Sequence, residues 1–291
     1  MVRICKRVIR RLRAIRHKWK IKLEIKKLKK EMPEFGINLN KRQVPVIVSL
    51  TSYNRRFDTL DICIKSLLRQ EVKPDKLILY LTEEDYQRLP ENIKELREYG
   101  LDIVKVKDDL RPHKKYYYAM KEYPNAIVIT TDDDVIYDRR LVGELLKTHN
   151  KFPEAIVTGR ARYIASDPQK FLPYDLWNLT ETSNNPSMEL LATGVGGVLY
   201  PPHLLNLNLL LDKESIKKYI QVDDLWLKTV EILDKIPTVV CDAEIDRNRI
   251  EIPSAQTSGL AQTNVLENQN DRYWAELDRK YKLFDKLKHL E

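Results

Sequence analysis

Glycine is scarce in this chain, with eight in 291 residues. None forms a GxGxxG after the first apolar run, and no GxxxxGK[ST] occurs. The dinucleotide-binding fingerprint is therefore missing, and P-loop NTPases are excluded. Cysteine is rarer still. Cys5, Cys63 and Cys241 lie far apart with no CxxC spacing, which fits a reducing compartment. Cys63 sits in an apolar helical pattern and Cys241 follows Val239-Val240, so both read as core thiols. The five histidines include no HxxxH or HxH pair, which argues against zinc. The basic N-terminal stretch has no apolar core long enough for a signal peptide or a spanning helix. What remains is 43% hydrophobic and 32% charged, sufficient for one large core or two small domains.

Charge is unevenly spread. The chain carries a net +8, but residues 1–30 hold fourteen Lys or Arg against one acid, Glu24, a net +13. The remainder is therefore mildly acidic. In this arm Cys5, Val8, Leu12, Ile15, Trp19 and Leu23 recur every three or four residues and form one helical stripe. A basic amphipathic helix with Trp on its apolar face suits an anionic membrane surface. Nucleic acid is the rival partner for such charge. The third reading is a stripe that packs on the body or on a second copy.

Pro33 and Gly36 end the arm, and a linker precedes the body. Val44–Leu50 is a continuous apolar run of the kind found in a central parallel strand. Further strands are read at 76–81, 101–106, 126–130, 198–200 and 238–240. Helical patterns fall between them, at about 60–68, 90–99, 114–122 and 139–150, then at 220–233 and 272–290. Gly100 reads as a helix C′ residue. The alternation predicts an α/β fold, a doubly wound, mostly parallel Rossmann-like sheet with flanking helices. Residues 246–268 read as loop. The expected organisation is an arm and linker over 1–40, a catalytic domain over 41–245 and a C-terminal helical extension over 246–291.

Thr130-Thr131-Asp132-Asp133-Asp134 follows the β-branched run Ala126-Ile127-Val128-Ile129. Packed carboxylates raise each other's pKa unless a cation sits among them. The C-terminal edge of an open α/β sheet is also where ligands bind. A divalent metal holding a phosphorylated ligand explains the cluster economically. The bland alternatives are a solvated acidic turn, or acids capping the helix that starts near Asp138.

Three blocks together resemble the GT-A glycosyltransferases, in particular the family 2-like bacterial enzymes of surface-polysaccharide synthesis. They are Val46–Arg56 continuing to Gln70, the Asp132-Asp133-Asp134 match to the DxD motif, and Val222-Asp223-Asp224-Leu225-Trp226, similar to an ED-type acidic pair. Each alone is weak, whereas their order and spacing over about residues 44–245 are fairly specific.

The resemblance implies transfer of a sugar from a nucleotide-diphosphate sugar, inverting and assisted by Mn²⁺ or Mg²⁺. The acceptor implied is a growing glycan such as capsule or O-antigen, free or lipid-linked. Asp134 and Asp132 are the expected metal ligands. Asp132, Asp133, Thr51, Tyr53, Arg55, Asp109 and Lys115 are expected on the donor, with Arg56 and Lys114 as alternates for the diphosphate. Asp224 is the expected base and Asp223 the runner-up; both would also suit a helix's first turn. Arg160, Trp177, Gly196 and Gly197 are expected on the acceptor side, with Arg162 and Tyr174 beside them. The absence of a convincing C-terminal histidine ligand departs from many GT-A enzymes and weakens the metal expectation. The protein would work in the cytoplasm, peripheral on the inner face of a bacterial membrane, and a homodimer is conceivable. Two rivals stand: a non-catalytic glycan- or membrane-binding protein on the same scaffold, and a sugar nucleotidyltransferase. The latter would need a glycine-rich loop where this chain has Thr51–Arg55.

Overall fold

The computed structural model describes residues 19, 21–180, 183, 185–253 and 269–289. Most of the basic arm lies outside these residues. Seven strands form the main sheet in the order β11-β6-β10-β4-β1-β2-β3. They are β1 (Val46–Thr51), β2 (Lys76–Thr82), β3 (Leu101–Val106), β4 (Ile127–Thr130), β6 (Ile156–Thr158), β10 (Val198–Tyr200) and β11 (Thr238–Val240). β1 runs parallel to β2 and β4, β2 to β3, and β6 to β11, whereas β10 is antiparallel to both β4 and β6. The sheet is thus the mostly parallel one expected, with one reversed strand at its centre.

Burial on both faces explains the apolar runs. Side chains alternate along a strand, so Val46, Val48 and Leu50 enter one core while Ile47 enters the other. The first core is closed by the helix Phe57–Leu68, the second by the helices Lys114–Glu122 and Asp223–Asp234. The C-terminal pattern is two helices, Gln269–Tyr281 and Leu283–Lys288. Lys282, at φ +58°, breaks them. Trp274, Leu277 and Leu283 bury into the second core, so the extension is packed into the body.

The small elements are those the periodicity did not show. The expected helix over 90–99 is one α-turn, Glu91–Lys94, followed by a 3₁₀ segment, Glu95–Tyr99. Gly100 closes it at φ +104°, as a C′ glycine does. β7 (Ala161–Tyr163), β8 (Leu179–Thr180) and β9 (Leu190–Ala192) make a separate three-stranded sheet. Part of the expected 246–268 loop is ordered, with helix Ala243–Asn248 and strand β12 (Ile250–Glu251). β12 pairs with β5 (Val135–Ile136), immediately after the acidic run. Residues 254–268 lie outside the description.

Residues 21–30 are helical. Leu28, 1% exposed, belongs to the first core and Ile25 packs against it. Lys65 Nζ donates to the Leu28 carbonyl at 3.0 Å. On the same helix Trp19 and Leu23 are 64% and 60% exposed. The body therefore covers a face different from the predicted stripe, and leaves Trp19 and Leu23 bare.

Candidate active site

The acidic turn is anchored through its backbone. Thr131 N–H donates to the Ser49 carbonyl at 3.0 Å and the Asp132 N–H to the Tyr137 hydroxyl at 2.8 Å. The Asp134 carbonyl accepts from Ile252 N–H at 2.9 Å. A turn held at both ends by β1 and by the β5–β12 pair cannot splay its three carboxylates apart.

Two buried cations separate these acids into two groups. Arg56 NH1 stands 2.9 Å from Asp134 Oδ2 and 3.9 Å from Asp133 Oδ1. Burial works against the Arg56 charge, yet Asp133 and Asp134 outweigh it and raise its pKa. Asp133 also accepts from Ser52 Oγ at 2.6 Å. Burial nonetheless pushes the Asp133 carboxyl up to about 6.

Lys115 forms the second group. Its Nζ lies 2.7 Å from Asp132 Oδ1 and 2.9 Å from Asp223 Oδ2. Burial opposes the ammonium, but Asp132, Asp223 and Asp224 together hold its pKa well above the ordinary value. Lys115, expected on the diphosphate, lines the cavity and bridges the acidic turn and the acidic pair. The Lys115 side chain is 5% exposed and is held by both carboxylates.

Asp223 and Asp224 open the helix Asp223–Asp234. Both lie in its first turn, where the helix dipole favours acids. Neither caps its own helix; the Gly194 N–H donates to Asp224 Oδ1 and Oδ2 at 3.1 and 3.2 Å. Burial opposes the charge on Asp223, but Lys115 keeps it low. Burial, then the charge of Asp223, pushes Asp224 well above the carboxylate range. Neighbouring carboxylates driven in opposite directions are suited to proton transfer.

Within the glycine run 194–197, Gly194 is the one that approaches the acids. A Cβ on Gly194 would lie 2.8 Å from Lys115 Nζ, 3.0 Å from Asp132 Oδ1 and 3.3 Å from Asp224 Oδ1. Gly194 is thus the point where Asp132, Lys115 and Asp224 meet. Gly196 instead packs its Cα against Arg160, and Gly197, at φ +75°, faces Leu141. Trp177 is also reassigned. It is 1% exposed in the second core, its Nε1–H donating to the Leu172 carbonyl at 2.9 Å. Its neighbour Tyr174 lines the cleft in its place.

All these acids face one cavity of about 760 Å³, within the range that holds a nucleotide-sized ligand. Thr51, Tyr53, Arg55 and Asp109 line it together with Arg111 and Lys114. Thr51 Oγ1 donates to the Tyr80 carbonyl at 2.8 Å, and Lys114 Nζ pairs with Asp109 at 2.7 Å. Arg160, Arg162 and Tyr174 form another part of the wall. Sequence reading missed Asn270 and Glu251, which also line the cavity. No local signal marks them, because their segments reach the cleft only through tertiary packing.

Among the described residues, no group of three or more His, Cys, Asp or Glu side chains could hold a metal ion. The acidic cluster by itself leaves room for a cation, although the cavity as a whole is lined by as many Lys and Arg as Asp and Glu. Five carboxylates, Asp132, Asp133, Asp134, Asp223 and Asp224, face the two buried cations Arg56 and Lys115. The protein can therefore supply Asp134 and Asp132 as ligands only if a bound ligand's oxygens complete the shell.

A sheet of this order with an acid-lined cleft at the carboxyl ends of β1 and β4 defines a GT-A-type glycosyltransferase fold. The family model for glycosyl transferase family 2 matches residues 47–197, and the chain belongs to that family. No curated protein matches the sequence. A mannosyltransferase from Pyrobaculum calidifontis, PcManGT, solved with GDP-Man and Mn²⁺, is similar with TM-score 0.43 and 15% identity, over 78% of this chain and 63% of its own. S. aureus TarS 1-349, solved with UDP, is similar with TM-score 0.42 and 11% identity, over 68% of this chain and 57% of its own. The chain thus spans less than two thirds of either structure's length.

Proposed function

We propose that this protein moves a sugar from a nucleotide-diphosphate sugar to a growing bacterial surface glycan, with inversion at the anomeric carbon. One observation carries the reading. Lys115 and Gly194 hold the DxD acid Asp132 and the acidic pair Asp223-Asp224 at one point of one cleft. A donor held by the first group then presents its anomeric carbon to a hydroxyl deprotonated by the second.

In this scheme Asp224 takes the proton of the acceptor hydroxyl. The acceptor oxygen forms the new bond to the anomeric carbon as the bond to the diphosphate oxygen breaks. The electron pair leaves with the diphosphate. Arg55, Arg111 and Lys114 face the cleft where that charge collects. Asp134 and Asp132 would hold Mn²⁺ or Mg²⁺ jointly with the diphosphate, and the cation would supply Lewis-acid stabilisation of the leaving group. Tyr53 stacks on the nucleobase in this reading, and Asp109 contacts its base or ribose. The exposed Trp19 and Leu23, in an arm of net charge +13, would bring the body to the anionic inner face of the membrane.

Calorimetry with UDP and GDP, with and without Mn²⁺, tests the donor site directly. One nucleotide should bind, and Mn²⁺ should tighten it at least about tenfold, the scale of one charge-assisted contact. Asp134→Asn should remove the Mn²⁺ effect. If no nucleoside diphosphate binds, the glycosyltransferase reading fails and the non-catalytic one takes its place.

A further inference from the structure

Arg160 is a partly buried cation whose one carboxylate partner is distant and shared. It follows β6, and its backbone is fixed. Its carbonyl accepts from Thr193 N–H at 3.0 Å and from Thr158 Oγ1 at 2.9 Å. A Cβ on Gly196 would lie 2.5 Å from Arg160 Cβ. The side chain is only 19% exposed, yet its ion pair with Asp246 Oδ1 is long, at 3.8 Å. That same oxygen already accepts from Arg249 Nε at 2.8 Å. A distant, shared carboxylate does not offset the removal of a guanidinium from water. Burial accordingly lowers the Arg160 pKa.

Arg162 reinforces the same wall. Its NH1 donates to the Trp177 carbonyl at 2.6 Å, and its guanidinium lies 5.0 Å from the centre of the Tyr174 ring. Both arginines line the cavity that holds Asp224. Tyr174 feels the charges of Asp224, Arg162 and Arg160 together. Gly194, which holds Asp224, and Gly196, which abuts Arg160, belong to one 3₁₀ turn, Gly194–Gly196. The arginine wall is therefore next to the acidic pair.

The structure assigns to Arg160, with Arg162, the binding of an oxyanion on the acceptor: a phosphate or a carboxylate close to the hydroxyl that is glycosylated. This rests on reading that wall as the acceptor side. Arg160 keeps 19% of its side chain open in the wall of the cavity, where an oxyanion can reach it. An anionic acceptor that approaches Asp224 passes Arg160 and Arg162, which offset part of its repulsion by the acids. The planar guanidinium also matches phosphate and carboxylate geometry. The donor diphosphate does not need these groups, because Arg55, Arg111 and Lys114 line the cleft beside Asp109.

Titration of the full chain at low ionic strength with inorganic phosphate, and separately with glucuronate, reads the site without turnover. Each titration is run without nucleotide, and again with saturating UDP or GDP plus Mn²⁺ to fill the donor side. At least one anion should bind in both settings, and Arg160→Gln should weaken it tenfold or more. Methyl glucoside, the neutral control, should be indifferent to the variant. The stronger of phosphate and glucuronate identifies the source of the charge. Arg162→Gln should weaken the same anion by a smaller factor, and it is the deciding variant where Arg160→Gln does not fold. Anion affinities within twofold of wild type in the folded variant overturn the proposal, as does the lack of any anion binding. If no nucleotide binds, the donor reading fails alone, since Arg160-dependent anion binding is read without nucleotide.

Discussion

At the scale of the residue, Lys115 decides whether the cleft can exist before a ligand arrives. Its ammonium touches Asp132 and Asp223 and is also within the field of Asp224. Removing one partner of a buried pair leaves the other charges uncompensated. Lys115→Met should therefore destabilise the free protein by about 3 kcal/mol and abolish turnover. Lys115→Arg keeps the charge but replaces a point ammonium by a planar fork, so it should restore the contacts to Asp132 and Asp223 only in part. Urea unfolding in the absence of nucleotide is the measurement. A Lys115→Met protein of wild-type stability would mean that the lysine serves the donor alone. The acids were legible from their position after a β-branched run. The bridging lysine and Gly194 were not. Spacing places a lysine on a helix and three glycines in a turn, but which atom meets which carboxylate depends on how β4, β10 and two helices pack.

Asp224 completes this scale. Burial and the charge of Asp223 raise it, while the Gly194 N–H orients it. Asp224→Asn keeps the shape and the hydrogen bond from Gly194 but cannot take a proton. Turnover should fall by at least about a thousandfold, within the range of general-base losses, with nucleotide affinity nearly unchanged. Wild-type rates in this variant would move the base to Asp223.

At the scale of the element, legibility follows length. Strands of four or more residues, buried on both faces, announce themselves as apolar runs, as β1 and β2 do. β5 and β12, two residues each, are too short to carry a period, yet they anchor the acidic turn. The helix Lys114–Glu122 was legible, but what holds its start was not. His113, fully buried, has Nδ1 2.7 Å from the Tyr116 hydroxyl and Nε2 3.0 Å from the Tyr219 carbonyl. The neutral ring satisfies both, with Nε2–H donating and Nδ1 accepting. Burial lowers its pKa from 6.5 to about 4. The unfolded chain therefore takes up a proton that the folded one refuses. The stabilisation is complete above pH 6.5 and shrinks as pH falls towards 4. Between pH 7 and 5 it should amount to about 2 kcal/mol. Urea midpoints of wild type and of His113→Gln, which bonds without titrating, isolate it from the raised Asp133 and Asp224: wild type should lose about 2 kcal/mol more than the variant between pH 7 and 5. An unchanged slope would place the proton uptake elsewhere.

At the scale of the whole molecule, the net charge of +8 describes no part of the protein, because an intensely basic arm is joined to a mildly acidic body. The periodicity of residues 5–23 predicts one apolar stripe, and the helix at its end has one face packed on the body and one exposed. Ile25 and Leu28 lock it to the body, whereas Trp19 and Leu23 stay bare. This split determines how membrane attachment must be tested. Deleting residues 1–30 would pull Leu28 from the core, a loss of about 2–5 kcal/mol by analogy with large-to-small core substitutions, and any change in lipid binding would then be confounded by unfolding. Trp19→Ser with Leu23→Ser removes the exposed apolar pair and leaves the lock and every basic residue in place. Flotation with phosphatidylglycerol vesicles should show the wild-type chain bound, less so as salt screens the arm. The double variant should bind at least about tenfold more weakly, since two large apolar side chains leave the interface. Equal flotation of the two proteins would show that charge alone recruits the chain, and that the bare pair faces something other than lipid.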